Sequence, residues 1–244
     1  MRVFLALPAY NEEAALPGLF EALARELYGA GQEGKIVIVD DGSTDRTPRL
    51  IEDWSSRLPL ERLRHSENRG LGETVRDALQ RAVELASPDD VVVTMDADNS
   101  HSPALIPEMV RLLEQGYELV IASRYQPGAA VLGLSRFRHR MSDGARLLFR
   151  LAAPIPGVRD YTSGFRAYRA SLLQRAWSHY DGRLVTERGF ACMAEILLKL
   201  RLVGVKACET PMVLRYDRKP GPSKMRVGHT VAKTLRLLLH TRRR

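Results

Sequence analysis

The sequence predicts an α/β protein with a mostly parallel sheet flanked by helices. Short apolar runs recur at residues 3–7, 35–40, 91–95 and 119–123, with a weaker one at 60–64. Segments with helical spacing lie between them. The second run in particular is apolar through Ile36 to Val39 rather than alternating, which is the pattern of a parallel strand covered on both faces. Strand and helix alternate in this way through residue 123, and such a sheet places ligands at the carboxyl ends of its strands.

Taken in order, Val3 to Leu7 is the first strand. Residues 8–12 follow as a loop, with Asn11 placed to cap the next helix. Ala15, Leu16, Leu19, Leu23 and Leu27 form that helix's apolar face, and the stretch from Gly29 to Gly34 ends it. Lys35 to Asp40 is the second strand. Gly42 permits a tight turn after it, and Ser43, Thr44 or Asp45 can cap a helix running to about Ser56. The weaker third strand, 60–64, leads through Asn68 to Gly72 into a helix from about Glu73 to Leu85. Val91 to Met95 is the fourth strand, and Pro103 opens the next helix where proline is suited. Leu119 to Ser123 is the fifth, closed by Arg124.

Beyond Arg124 the pattern changes. Gln126 to Leu134 reads as a loop, and a helical segment from Arg136 reaches Leu151. Phe165 to Arg169 is a short strand, followed by helices at about 170–178 and 188–202. Val205 to Leu214 is a late strand with Pro211 at an edge. Residues 215–224 form a basic loop with Pro220, Gly221 and Pro222. The last segment sets Val227, Val231, Leu235, Leu238 and Leu239 near one face, with His229, Lys233, Arg236 and His240 opposite. That is an amphipathic helix with a basic face. The expected organisation is one domain over residues 1–226, divided near residue 125, and a basic helix and tail over 227–244.

With 244 residues and 45% hydrophobic content, the chain can bury a sizeable core. No stretch approaches the roughly 18 apolar residues of a membrane span, and the N-terminal run is too short for a signal peptide. Two cysteines, Cys192 and Cys208, make a disulfide framework unlikely by count, so both read as core residues of a cytosolic protein. The net charge is +8 and the sequence pI about 9.8. From Arg201 onward the only acidic residues are Glu209 and Asp217. Such a surface suits anionic lipid or phosphorylated substrates. Nucleic acid is disfavoured, because neither zinc-ligand spacing nor an RNA-binding aromatic signature accompanies the charge.

Chemistry is concentrated at the strand ends. Asp96-Ala97-Asp98 closes the fourth strand, and residues two apart on an extended chain point the same way. Two such carboxylates repel unless a cation sits between them, and Mg²⁺ or Mn²⁺ suits hard oxygens. The competing reading is a solvated acidic turn. Asp40-Asp41 ends the second strand, where a carboxylate can accept hydrogen bonds from a base or a ribose. The Asn68 to Gly72 turn lacks the spacing and terminal Lys-Ser/Thr of a Walker loop. His65, His101 and His139 read as loop or surface residues. Glu187 or Glu195 could act as a base, although their helical spacing also fits a structural role.

An ordered set of motifs adds to this reading: LPAYNEE (7–13), IVIVDDGSTDRT (36–47), NRGLGETVRDAL (68–79), VVVTMDADNSHSP (91–103), IASRY (121–125), TSGFRAYR (162–169) and RKPGPSK (218–224). Together they resemble family 2 glycosyltransferases of the GT-A fold, and within these the dolichol-phosphate and polyprenyl-phosphate mannosyltransferase group. The resemblance covers most of the chain from residue 3 to 225. It implies transfer of a sugar, mannose or glucose, with inversion, from a GDP- or UDP-linked donor to a polyprenyl or dolichyl phosphate. By position it assigns Pro8, Tyr10, Glu12, Val39 and Asp41 to the nucleotide, and Asp96, Ala97 and Asp98 to the metal and diphosphate motif. Arg124, Arg218 and Lys224 would bind the donor's phosphates, with Asp96, Asp98, Arg218 and Lys224 the catalytic set. Ser100 stands where these mannosyltransferases often carry a metal-ligating Gln, and is a weaker ligand. Arg136, Arg138 and Arg140 are candidates for the acceptor phosphate.

A lipid phosphate is largely ionised near pH 7 and needs no strong base, in keeping with the lack of an obvious catalytic histidine. The basic C-terminal helix would hold the protein peripherally on the cytoplasmic face of a membrane. The alternatives are a family 2 enzyme acting on a soluble or glycan hydroxyl, a nucleotidyltransferase and a non-enzymatic phosphate-binding module. A nucleotidyltransferase would carry a Gly-rich loop where LPAYNEE stands, and the intact Asp96 and Asp98 argue against a non-enzyme.

Overall fold

A computed structural model describes residues 1–133, 144 and 147–218. Seven strands form the main sheet in the order β3-β2-β1-β4-β7-β5-β8. They are β1 (Val3–Ala9), β2 (Gly34–Asp40), β3 (Leu60–Arg64), β4 (Val91–Thr94), β5 (Leu119–Ser123), β7 (Arg166–Arg169) and β8 (Ala207–Pro211). All neighbours are parallel except around β7, which runs antiparallel to both β4 and β5. β6 (Ala130–Leu132) and β9 (Val213–Arg215) form a separate parallel pair.

The helices are α1 (Leu16–Leu23), α2 (Thr47–Trp54), α3 (Leu71–Leu85), α4 (Ile106–Glu114), α5 (Ala170–His179) and α6 (Cys192–Leu202). They cover the sheet on both faces, which is why its central strands are apolar at nearly every position. On one face α1, α2 and α4 bury Leu16, Leu19, Ile51 and Met109 against Leu5, Ile38 and Val93. On the other α3, α5 and α6 bury Val75, Leu79, Leu172 and Ile196 against Val37, Val92 and Ile121. Phe149 and Tyr161 stack on that side at 5.0 Å and extend the cluster.

Several expectations are corrected. Asn11 caps no helix. It sits in the left-handed region at φ 51, and its Oδ1 accepts from Thr44 N, five positions before α1 begins. Asp45 does serve the start of α2, accepting from Thr47 N at 2.9 Å. The expected 126–134 loop contains β6, too short to show a period. The single late strand is two, β8 and β9, and Pro211 does end the edge strand β8. The helix expected from Arg188 begins at Cys192, because Thr186 N and Glu187 N are held by the Glu195 carboxylate instead of a helix. Of the segment expected to be helical from Arg136, residues 144 and 147–152 are described and helical. The C-terminal amphipathic helix at 227–244 lies outside the described residues. No helix among those described is long and apolar enough to cross a membrane.

Candidate active site

The carboxyl ends of β1, β2, β4 and β5 meet at one edge, where their loops are stitched together. Asn11 N donates to Ser43 Oγ, Glu12 N to Thr47 Oγ1, and Glu13 N to Asp45 Oδ2. The loop carrying Tyr10 and Glu12 is thus fixed to the loop after β2. Pro8 pairs in register with Val39, and the Val39 side chain is fully buried. Ala97 is buried as well.

Asp40 and Asp41 are both buried, and they face different partners. Asp40 accepts from Ser43 N and lies 3.3 Å from the Arg64 guanidinium. Asp41 accepts from Arg69 N and Gly70 N, each at 2.9 Å. His65 contacts Asp41 through Nδ1 at 2.7 Å and Asp77 through Nε2 at 3.0 Å. So Asp41 organises the 65–70 turn, and His65, which does lie in a loop as expected, is buried there as a bridge to α3 and not at the surface. Isolated histidines carry no sequence period, so this placement had no local signal.

The acidic loop departs from the extended-chain argument. β4 ends at Thr94, and Asn99 turns the chain at φ 59. Asp98 therefore lies on a bend over residues 97–99, with Asp96 just before it. Asp96 is half-buried, while Asp98 is only 5% exposed. Asp98 Oδ1 accepts from both Ser100 N and Ser100 Oγ, so the serine orients this carboxylate. His101 is buried against Phe165, and its Nδ1 accepts from Asp96 N. That too corrects the surface reading. Arg215 N donates to Ser100 O, which seats the start of the basic 215–224 loop directly on the acidic loop.

Arg124 sits at the end of β5 in a bidentate pair with Asp160, at 2.8 and 2.6 Å. Burial opposes charge on Asp160, yet the Arg124 charge and hydrogen bonds outweigh it and hold the carboxyl below its ordinary range. Glu195 is no candidate base. Its oxygens are taken by Thr186 N, Thr186 Oγ1, Glu187 N and Lys199 Nζ. Arg218 ends a 3-10 turn, Tyr216–Arg218. Lys224, Arg136, Arg138, Arg140 and His139 lie outside the described residues.

Among the described residues no group of three His, Cys, Asp or Glu side chains is arranged to hold a metal ion. Two carboxylates on one loop still fit a hard divalent cation of the Mg²⁺ or Mn²⁺ kind. Such an ion takes one or two protein carboxylates and completes its shell with phosphate oxygens and water.

A mostly parallel sheet flanked by helices, with an acidic loop after a central strand, is the architecture of a GT-A glycosyltransferase. The chain belongs to glycosyl transferase family 2, whose profile matches residues 5–177. It is 33% identical over 237 residues to a dolichol-phosphate mannosyltransferase of Pyrococcus furiosus, covering 97% of this chain and 62% of that one. An undecaprenyl-phosphate mannosyltransferase of Micrococcus luteus is 30% identical, with 93% of this chain and 89% of the relative covered. A polyprenol monophosphomannose synthase of Mycolicibacterium smegmatis is 28% identical over 92% of this chain and 81% of its own. Among solved structures, glucosyl-3-phosphoglycerate synthase of Mycobacterium tuberculosis, crystallised with Mn²⁺, uridine diphosphate and glucosyl-3-phosphoglycerate, superposes with a TM-score of 0.70. It is 21% identical and is covered over 79% of its length, against 98% of this chain. That likeness establishes the fold.

Proposed function

We propose that the chain transfers a sugar, mannose in the first instance, from a nucleotide-diphosphate sugar to a polyprenyl phosphate. The observation that carries this is the similarity to three polyprenyl-phosphate mannosyltransferases, each spanning more than nine-tenths of this chain. The acidic loop at the sheet's ligand edge supplies the matching chemistry.

Residues 1–125 hold the donor in this reading, and residues 126–226 take the acceptor. Pro8, Tyr10, Glu12 and Val39 border the nucleotide, with Asp41 acting through the 65–70 turn it orders. Asp96 and Asp98 hold a divalent cation, with Ser100 orienting Asp98 rather than ligating. When bound, that ion offsets charge on the departing nucleoside diphosphate. Arg124, Arg218 and Lys224 meet phosphate oxygens. Arg218 and Lys224 lie on or beside a loop whose base, Arg215, is bonded to Ser100 O. That attachment starts the basic stretch of the chain at the acidic motif, and basic side chains there offset charge on the diphosphate. The acceptor phosphate attacks the anomeric carbon from the side opposite the leaving group, guided by Arg136, Arg138 and Arg140. It arrives ionised, so no base is required.

The lipid acceptor calls for a membrane surface, and the basic segment at 227–244 provides attraction of about 1 kcal/mol per cation near anionic lipid. We place the protein peripherally on the cytoplasmic face, with GDP or UDP as the nucleotide of the donor. Binding to anionic vesicles that weakens with salt, and falls when residues after Val227 are removed, tests the membrane contact. Transfer from GDP-mannose to a short polyprenyl phosphate with Mn²⁺ or Mg²⁺ tests the reaction. A protein that ignores lipid phosphates and glycosylates a soluble hydroxyl would replace this reading.

A further inference from the structure

We infer that Asp160 is a positioning residue that aims the Arg124 guanidinium at a ligand phosphate, and that the 160–164 loop fixes Arg124 relative to Asp96. The inference deepens the proposed function and rests on it for the identity of the ligands. The geometry is independent of that reading.

Arg124 has five N–H donors on a planar fork. Its Nε donates to Asp160 Oδ2, and its Nη2 to Asp160 Oδ1 and to Thr162 Oγ1 at 2.7 Å. Nη1 has no protein partner among the described residues and is not enclosed, since the side chain keeps 15% exposure. Three of the five donors are therefore committed to the protein, and the two on Nη1 are left for a ligand. A carboxylate that merely neutralised a core arginine would leave no such pair of donors. Tyr125 lies under the guanidinium at 5.6 Å and limits its tilt.

Asp160 is itself held. It is fully buried, and its Oδ1 accepts from Thr162 N and Ser163 N while Oδ2 accepts from Arg124 N. The loop it starts then crosses to the acidic motif. Ser163 Oγ donates to Ala122 O on β5, and Thr94 Oγ1 on β4 donates to Gly164 O. A Cβ added at Gly164 would lie 3.2 Å from Asp96 Oδ1, so Asp96 rests on this glycine. Five residues thus span from the end of β5 to the loop after β4, across the antiparallel β7. They set the spacing between a cation and a carboxylate that face one ligand edge. The two N–H donors left on Nη1 carry the guanidinium charge, and a phosphate oxygen accepts such charge-assisted bonds readily.

The test uses the full-length protein and measures binding as well as turnover. Asp160→Asn preserves volume and removes the charge. GDP and UDP, each with Mn²⁺, probe the donor diphosphate, and geranyl phosphate probes the acceptor. Affinity for whichever phosphate meets Arg124 should fall about 10–100-fold, the usual cost of losing a supporting partner. Combining Asp160→Asn with Arg124→Lys should cost no more than Arg124→Lys alone, because one acts through the other. Independent losses that multiply would overturn the positioning role, as would unchanged affinity for all three probes. If Asp160→Asn does not fold, Thr162→Val removes one bond to Nη2 and carries the same double comparison with a smaller loss. If Arg124→Lys leaves every affinity unchanged, the inference fails, while sugar transfer to lipid phosphate remains separately measurable.

Discussion

Gly72→Ala should destabilise the protein, although alanine is the better helix former. Gly72 is the second residue of α3, and its backbone is helical, so the substitution alone would favour folding by about 0.4–1 kcal/mol through the unfolded state. The surroundings decide otherwise. A Cβ at this position would lie 1.7 Å from Glu187 O, half of an ordinary 3.4 Å contact, and 2.9 Å from the Arg188 carbonyl carbon. Both are backbone atoms, so no rotamer change relieves the overlap. The Gly72 N–H also donates to Arg188 O at 2.9 Å, and separating the chains breaks that bond. Overpacking costs about 1–3 kcal/mol and the lost bond about 0.5–1.5. Less the unfolded-state gain, the net loss is about 2 kcal/mol, which in a chain of this size lowers Tm by roughly 4–8 °C. Because the same turn is held by Asp41 through Arg69 N and Gly70 N, nucleoside diphosphate binding should weaken as well. Thermal unfolding followed by circular dichroism reads the first effect and calorimetric titration the second. A Tm that is unchanged or raised would refute the close approach of α3 to residues 187–188.

Four further outcomes are expected. Asp98→Asn should lower metal-dependent turnover by about 10²-fold or more with little change in Tm, read by a sugar-transfer assay across Mn²⁺ concentrations. Ser100→Ala, which removes only the hydroxyl bond to Asp98, should cost about tenfold in the same assay. The Asp160 carboxyl is held below its ordinary 3.8, so its stabilisation is complete above that pH and is lost as pH falls toward the folded value. Denaturant unfolding between neutrality and pH 2 should accordingly show a shallower acid loss in Asp160→Asn than in the parent. Burial pushes the Cys192 thiol up to about 12 and the Cys208 thiol up to about 11, so a disulfide reagent at pH 8 should label the native protein slowly and both thiols rapidly once it is unfolded.

The parallel part of the sheet was legible because β1, β2, β4 and β5 are largely continuous apolar runs followed by polar turn residues, while β3, with Glu61, Arg62 and Arg64, was the weaker signal. β2, β3, β4 and β5 fall within a residue of where periodicity puts them. The antiparallel insertion of β7 between β4 and β5 was not legible. A four-residue strand, Arg166–Arg169, has no direction that local pattern can reveal, and its neighbours are fixed by contacts more than 40 residues away in sequence. β6 and β9 are three residues each and stable only as a pair. At the site, Asp96, Asp98, Asp41 and Arg124 were visible as polar residues at strand ends. Their division of labour was not. Asp41 and Arg124 are committed to Gly70 and Asp160, partners far along the chain. Asp160 itself precedes the TSGFRAYR motif, and only the fold brings it beneath Arg124.

The central claim is tested most directly by incubating the protein with GDP-mannose, Mn²⁺ and a short polyprenyl phosphate, with UDP-linked sugars and a glycan hydroxyl acceptor in parallel. The product's anomeric configuration is then determined by NMR. The account predicts a mannosyl phosphodiester of the lipid with inverted configuration, formed only with the divalent cation and lost in Asp98→Asn. Formation of a glycoside on the hydroxyl acceptor, with the lipid phosphate untouched, would contradict it.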